Sequence, residues 1–374
     1  MNAFHRAASF ALAGALFAAC AGQTAATNPP TSSNAPAAHA AAGSLQFRVF
    51  TAGQSPGFPA GAGAYGIAAG PNETIWFTDG GTPAIGRIAS DGTITEFSSG
   101  LQVDAEPLDI KPGPDGNMWF SDFKGLTIGK ITPSGTITEY KAAKLNDDGA
   151  KGLAFDAQGR PWVVGYGIPA VLAHLTPNGK VDVRPLPQGF NADGTLVADA
   201  AGNLWFSGKG NREHLELLER VASTKMIVRV HIPEVSARLP CCPNAAANPI
   251  TIGPNGEPWL TALYYLEHGT RSFHLATVQN GQSQLLKLTH KGLSSSAHPS
   301  GIASNGSAIW VTGGNPLQNK GALWRFASEQ NQTAYQLPYD PISLTVDASG
   351  NPWFTAGFGG SASQIVEVLG TGSR

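Results

Sequence analysis

Tryptophan recurs along this chain at intervals of 43 to 54 residues. The first three intervals are 43 residues each, the next two are 54 and 51, and the last is again 43. Seven of the eight Trp residues therefore mark one repeated position, with Trp324 as the exception. A repeat of about 40–45 residues is typical of one β-propeller blade. The repeated positions are Trp76, Trp119, Trp162, Trp205, Trp259, Trp310 and Trp353.

Each full repeat contains four short runs rich in Ile, Val, Thr, Phe and Trp, which favour β-strands. Turn residues separate the runs, as in Asp115-Gly116 and Asn255-Gly256, where Gly supplies the positive φ of a tight hairpin. Only 13% of the residues are charged and 46 are Gly, which suits an all-β protein rich in turns. The sequence predicts an all-β, seven-bladed β-propeller of four-stranded antiparallel blades, with each repeated Trp packed between neighbouring blades.

Blade seven contains only three predicted strands, the last of them at 364–368. The segment 45–51, LQFRVFT, precedes blade one and resembles the outermost strands ITEF and ITEY of the first two repeats. We expect it to supply the fourth strand of blade seven, which closes the ring and covers an open sheet edge. Residues 44–370 then form a single domain. Segments 211–249 and 264–281 interrupt the regular spacing, and we expect enlarged loops or extended strands there.

The first 20 residues have the pattern of an export signal. Residues 7–19 are uncharged and mostly apolar, too short a run to span a bilayer, and they end in small residues before Cys20. This pattern resembles a bacterial lipobox, in which the Cys thiol is lipidated; ordinary signal cleavage nearby is the alternative. Residues 21–43 are almost all Ala, Ser, Thr, Asn, Pro and Gly and predict a flexible tether. We therefore expect a lipoprotein of the bacterial cell envelope, periplasm-facing or extracellular, that contacts the membrane through its lipid alone.

Charge and cysteine content restrict the partners further. The formal net charge is −2, so the composition lacks the excess of basic residues typical of a nucleic-acid-binding protein. We expect a monomer without a nucleic-acid partner. Cys241 and Cys242 are adjacent in Pro-Cys-Cys-Pro. An oxidising compartment permits a vicinal disulfide between them, and two buried or free thiols are the alternative. We do not expect this pair to bind a metal ion, because the neighbouring residues supply no further ligand at suitable spacing.

The repeat unit resembles that of the virginiamycin B lyase family, which inactivates streptogramin antibiotics. The resemblance rests on GPDGNMWFSD and TIGKITPSGTITEY in blade two and on the matching runs of blade one, and it extends over nearly all of residues 45–368. It implies a propeller fold and a magnesium-assisted elimination that linearises a cyclic antibiotic without water. Such a reaction needs a metal ion to polarise an ester carbonyl and a base to remove an α-proton.

The resemblance also implies where the site residues lie, at the start of each innermost strand and in the loop after each Trp strand. Tyr65 matches a family Tyr in blade one, and Asp340 stands where the family has a metal-binding Glu. Ser300 and Ile342 stand where the family has His residues, the second of which is the base. The innermost-strand positions lie eleven residues before the Trp, or ten in blade six, and are Tyr65, Leu108, Lys151, Gly194, Asn248, Ser300 and Ile342.

Two functional hypotheses follow. The first is a ligand-binding or scaffold lipoprotein that takes an unidentified small molecule or peptide at the propeller funnel, because the family's catalytic His positions are not matched. The second is a carbon–oxygen lyase of the virginiamycin B lyase type that eliminates the ester of a cyclic substrate, with Asp340 as a ligand of Mg²⁺. His298, two residues before Ser300, and Asp340 are the candidate catalytic residues. The candidate ligand-binding residues are Tyr65, Lys151, Asn248 and Ser300.

Overall fold

The computed structural model describes most of the chain from residue 45 to residue 371. The gaps within this range are 125, 143–148, 166–169, 210–214, 221, 223, 225, 232–248, 266–270, 280–281, 289–297, 316–319, 329–330 and 358–361. The predicted signal and tether, with Cys20, and the pair Cys241 and Cys242 lie outside the described residues. In the described part, no helix has the length and apolar character needed to cross a membrane.

Regular secondary structure in the described ranges consists of β-strands, as the alternation of β-branched runs with turn residues predicts. In chain order the strands are β1 (Gln46–Thr51), β2 (Ala64–Ala69), β3 (Ile75–Asp79), β4 (Ala84–Ile88), β5 (Ile94–Phe97), β6 (Pro107–Pro112), β7 (Met118–Asp122), β8 (Thr127–Ile131), β9 (Ile137–Lys141), β10 (Ala150–Phe155), β11 (Pro161–Gly165), β12 (Val171–Leu175), β13 (Val181–Pro185), β14 (Asn191–Ala198), β15 (Leu204–Lys209), β16 (Leu215–Arg220), β17 (Ile227–His231), β18 (Ile250–Ile252), β19 (Pro258–Tyr265), β20 (Arg271–Gln279), β21 (Gln282–Lys287), β22 (His298–Ser304), β23 (Ile309–Asn315), β24 (Lys320–Ser328), β25 (Asn331–Leu337), β26 (Pro341–Val346), β27 (Pro352–Ala356) and β28 (Gln364–Leu369).

These strands form seven four-stranded antiparallel sheets, one for each repeat. Blades one to six each use four consecutive strands, from β2–β5 to β22–β25, and blade seven has the order β1-β28-β27-β26. The innermost strand of each blade packs on that of the next blade, and β26 of blade seven packs on β2 of blade one. The ring is therefore closed, and the predicted all-β propeller with four-stranded antiparallel blades is confirmed.

The strand that precedes blade one completes blade seven, as predicted. β1 pairs antiparallel with β28 along its whole length. Phe50 of β1 stacks on Trp353 with ring centroids 6.2 Å apart, and Arg48 forms an ion pair with Glu367 at 2.7 Å. The first and last described strands of the chain thus share one sheet, which removes the open edge that blade seven would otherwise expose.

Each repeated Trp lies on the second strand of its blade and is no more than 7% exposed. Its ring packs against apolar side chains of the following blade. Trp76 belongs to a core cluster with Ile110 and Phe120 of blade two, and Trp353 belongs to one with Ile67 of blade one. The predicted packing of the Trp residues between blades is confirmed, including the contact across the point of ring closure.

Blades four and five keep four strands despite their inserted residues. Part of the charged stretch that interrupts the spacing in blade four forms a regular third strand, β16, rather than a loop. In blade five the second and third strands lengthen to eight and nine residues. Extended strands, one of the two expected arrangements, therefore account for much of the insertion in blade five.

Candidate functional site

The innermost strands of six blades share one irregularity, a shift of register near the strand start. In blade one Tyr65 and Gly66 together lie opposite Thr78, and in blade six Ser300 is the extra residue. Such a β-bulge leaves its extra residue outside the regular ladder and turns its side chain to a new direction. Because innermost strands line the propeller axis, the bulges form one set of positions beside the axis.

Every described position that the sequence analysis assigned to the axis lies in one of these bulges. Asn248 is outside the described residues, so its assignment stays a prediction. We call the bulge residues, together with Asp340, the axial site. The bulge residues are Tyr65, Leu108, Lys151, Gly194, Ser300 and Ile342.

Hydroxyl groups on the second strands fix these bulges to the neighbouring blades. Thr78 Oγ1 accepts a hydrogen bond from the Gly66 backbone N–H at 2.8 Å and donates to the Leu108 carbonyl of blade two at 2.9 Å. A Cβ at Gly66 would overlap that carbonyl, so the close approach requires glycine. Equivalent hydroxyl bonds join Ser121 to the Lys151 carbonyl at 2.5 Å and Thr355 to the Tyr65 carbonyl at 2.7 Å.

Among the described strand residues, Tyr65 has the most exposed aromatic side chain, with 40% of its surface accessible. Desolvation of the phenol by its surroundings, followed by the nearby Asp109 carboxylate, raises the pKa of Tyr65 above its ordinary value. The phenol therefore remains neutral at physiological pH and offers both a hydrogen-bond donor and an acceptor.

Asp109 is the second residue of the blade-two bulge, and its carboxylate is held by three donors. Its Oδ2 accepts from the Leu153 backbone N–H of blade three at 3.0 Å. Its Oδ1 accepts from the Ile110 N–H at 2.9 Å and lies 3.3 Å from Lys111 Nζ. This carboxylate links two blades and places an anionic group near Tyr65.

The remaining bulge residues differ in character from blade to blade. Lys151 and Ser300 are half-buried, and Ser300 Oγ donates to Thr312 Oγ1 at 3.1 Å. Leu108 and Ile342, also half-buried, contribute apolar surface. The axial site thus combines a neutral phenol, a lysine, a hydroxyl and two aliphatic groups, a mixture that suits a ligand with both polar and apolar parts.

Asp340 directly precedes the innermost strand of blade seven and is only 7% exposed. A Cβ at Gly314 would overlap Asp340 Oδ1, so the carboxyl group lies directly against the Gly314 backbone. Burial raises the pKa of Asp340 to about 6. Gly314 is the strand partner of His298, and the structure therefore places the backbone of His298 and the carboxyl of Asp340 on either side of one glycine.

The described residues do not supply the Mg²⁺ ligand set that the resemblance implied. Among them, no three His, Cys, Asp or Glu side chains lie close enough together to hold one metal ion. Asp109, the carboxylate near Tyr65, has both oxygens engaged with donors. Asp340 is thus the one described residue that matches an implied metal ligand.

Asp109, Lys111 and the bulges were not predicted from the sequence. A signal for the two charges was present, because LDIKP of blade two has charged residues where YGIAA of blade one has Gly and Ala. No such signal marked the bulges, because they arise from hydrogen bonds between blades that are distant in sequence.

The virginiamycin B lyase family is the family whose sequence profile matches this chain, over residues 47–265, more than half of its length. A solved structure of streptogramin B lyase is 21% identical, with a TM-score of 0.66, and the match covers 87% of this chain and 98% of that one. A catalytically inactive His-to-Ala virginiamycin B lyase from Staphylococcus aureus with quinupristin is 18% identical, with a TM-score of 0.65 and coverage of 87% and 100%. Hydrazine synthase of Kuenenia stuttgartiensis is 12% identical, with a TM-score of 0.64 and coverage of 83% and 96%. No curated protein sequence matches. At these identities the structural likeness shows the fold alone.

Proposed function

Because the chain belongs to the virginiamycin B lyase family, we propose that its axial site binds a small molecule or peptide without carrying out the family's elimination. The observation that carries this proposal is Ile342. It lies in the blade-seven bulge, where the resemblance puts the catalytic base, and its aliphatic side chain accepts no proton. The bulged strands that build the site and the missing base together favour binding over elimination.

The polar groups of the axial site define the kind of ligand. The Tyr65 phenol donates and accepts hydrogen bonds, and the Lys151 ammonium pairs with a carboxylate or phosphate. The aliphatic side chains of Leu108 and Ile342 contact an apolar part of the same molecule. We therefore propose an amphipathic ligand that carries an anionic or carbonyl group.

A lyase is the second candidate function, and one observation favours it. Asp340 and the His298 backbone lie on either side of Gly314, and the pKa of Asp340 near 6 leaves this carboxylate mostly ionised at neutral pH. A His base near a carboxylate is a common arrangement for proton abstraction. In this alternative the base has moved from position 342 to position 298.

Ligand binding is tested by incubating the purified full chain with a pool of metabolites and short peptides and identifying retained molecules by native mass spectrometry. We expect Tyr65→Ala and Lys151→Ala each to weaken binding of the retained ligand about tenfold by calorimetry, about 1.4 kcal/mol. Lys180→Ala, in an exposed turn of blade three, is the matched control and should bind as the wild type does. Equal affinity of the two axial variants and the wild type would contradict the proposed site.

We further propose that the protein is a lipoprotein of the cell envelope anchored through Cys20. Changing Cys20 to Ser removes the thiol to which the lipid is attached, and the protein should then leave the membrane fraction and lose the mass of the acyl chains. Cys241→Ser is the matched control and should remain in the membrane fraction. If Cys20→Ser changes neither fractionation nor the mass of the mature protein, no lipid is attached there.

A further inference from the structure

Two pairs of carboxyl groups occupy the same place in blades one and two. Asp79 and Asp122 end the second strands, and Glu96 and Glu139 lie on the fourth strands opposite a glycine of the third strand. Both aspartates are fully buried. Equivalent residues of the two pairs are 43 residues apart, which is the interval between the two blades. The arrangement is therefore a repeated unit and not a single accident of packing.

In blade two, each carboxyl group has one oxygen with donors and one without. Asp122 Oδ1 accepts from the backbone N–H groups of Glu106 and Lys124, both at 2.8 Å. Glu139 Oε2 accepts from the Gln102 backbone N–H at 2.9 Å. Asp122 Oδ2 and Glu139 Oε1 are both shielded from solvent and have no donor among the described residues.

The two carboxyl groups of blade two are close neighbours, because each contributes to the pKa shift of the other, after burial as the main cause. Two ionised carboxylates offer only acceptors and repel, whereas one proton between them converts the contact into a strong hydrogen bond. A single shared proton therefore satisfies both oxygens that otherwise lack a donor.

Blade one has the equivalent pair, Asp79 and Glu96, with a different distribution of donors. Asp79 accepts four hydrogen bonds: from the backbone N–H groups of Gly63, Gly81 and Thr82 at 2.7, 2.8 and 3.1 Å, and from the Thr82 hydroxyl at 2.5 Å. Both oxygens of Asp79 therefore already have donors. Glu96 Oε1 is shielded from solvent and lacks a described donor, so Glu96 is the residue of this pair on which a proton would satisfy an unpaired oxygen.

The aspartates of these pairs hold the chain that leads into the axial site. Gly63, bound by Asp79, lies two residues before Tyr65, and Glu106, bound by Asp122, lies two residues before Leu108. We propose that the carboxyl pair of blade one and that of blade two each bind one proton, and that this proton fixes the loops entering the axial site. Loss of the proton places two negative charges together and loosens those loops.

The surrounding charges support this assignment. Burial and then Asp79 raise the pKa of Glu96 to about 8, and burial and then Asp122 raise that of Glu139 to about 7. Burial also raises the pKa of Asp122, and Glu106 adds to the increase. The nearby cations are engaged elsewhere. Lys124 pairs with Glu106 at 3.2 Å, and the Lys141 ammonium donates to the Gln102 side chain at 3.2 Å.

The direction of the pH effect follows from these values. In the unfolded chain a Glu titrates near pH 4.5, so between that pH and 7 to 8 the folded protein binds more protons than the unfolded chain. Stability is therefore greatest on the acidic side of this window and falls as pH rises through 7 and 8. We expect the Tm of the wild type to fall by on the order of 3 °C between pH 6 and pH 9.

The decisive variant is Glu96→Gln combined with Glu139→Gln, in the full chain. Glutamine is neutral at every pH and donates a hydrogen bond to the partner Asp, so the double variant should fold and keep a nearly constant Tm across this range. Amide hydrogen exchange at Gly63 and Glu106 at pH 9 should be slower in the double variant than in the wild type. Glu73→Gln, an exposed acid in blade one, is the matched control and should keep the wild-type profile.

Infrared spectroscopy provides an independent readout, because a protonated carboxyl group has its own carbonyl band. That band should be present in the wild type at pH 6 and weaker in the double variant. An unchanged pH profile or an unchanged band in the double variant would overturn the proposal. So would a rise of the wild-type Tm at pH 9 on adding calcium chloride that the double variant lacks, because the pairs would then bind a cation instead of a proton.

Discussion

Deletion of residues 45–51 is expected to abolish the cooperative unfolding transition of the propeller. The deletion removes a complete strand ladder from blade seven, the stacking of Phe50 on Trp353 and the ion pair between Arg48 and Glu367. Phe50 is only 8% exposed, and loss of one buried Phe typically costs about 3–5 kcal/mol. Since whole domains are stable by only about 5–15 kcal/mol, loss of the entire strand consumes most of that stability.

A deletion of residues 21–43, which leaves β1 intact, is the matched control and should unfold at the wild-type temperature. Phe50→Ala is a graded test that retains the strand and should lower the Tm by several degrees. Circular dichroism and scanning calorimetry measure all three variants. A protein lacking residues 45–51 that melts cooperatively at the wild-type temperature would show that β1 does not hold the ring closed.

The propeller was predictable because individual residues mark each of its repeats. A Trp that must fill the space between blades recurs wherever a blade does, and the Gly of each tight turn is equally local. The closing strand was predictable for a related reason, since a three-stranded last blade needs a partner with the pattern of an outermost strand. The third strand of blade four was not predictable, because the charged stretch around Glu216 lacks the apolar pattern of the other third strands.

The axial site was only partly predictable. Counting back from each Trp located Tyr65, Lys151 and Ser300 correctly on the innermost strands, because a fixed strand and turn length separates the two positions. The bulges at those positions depend on hydroxyl groups that bond to the next blade, as Thr355 does to Tyr65 across 290 positions of the chain. The carboxyl pairs were likewise invisible, because ITEF and ITEY resemble ordinary solvent-facing strands until Glu96 and Glu139 are found shielded.

The full-chain protein is expected to leave a streptogramin B antibiotic intact in the presence of magnesium. The elimination requires a base beside the α-proton, and position 342, where the resemblance places that base, is isoleucine. General-base catalysis typically contributes about 10²–10⁴-fold, so turnover should fall below that of a true lyase by at least this factor. The described residues also supply only Asp340 of the implied metal ligands, which lowers the expected rate further.

Liquid chromatography with mass spectrometry distinguishes the cyclic antibiotic from its linear product, with the Staphylococcus aureus lyase as the positive control. His298→Ala and Asp340→Ala are the informative variants, because Gly314 brings these two positions together. If Asp340 supports proton transfer in its ionised form, any turnover should rise as the pH passes 6, where Asp340 loses its proton. Robust turnover with that pH dependence, abolished by His298→Ala, would establish that the base has moved to residue 298 and that the protein is a lyase after all.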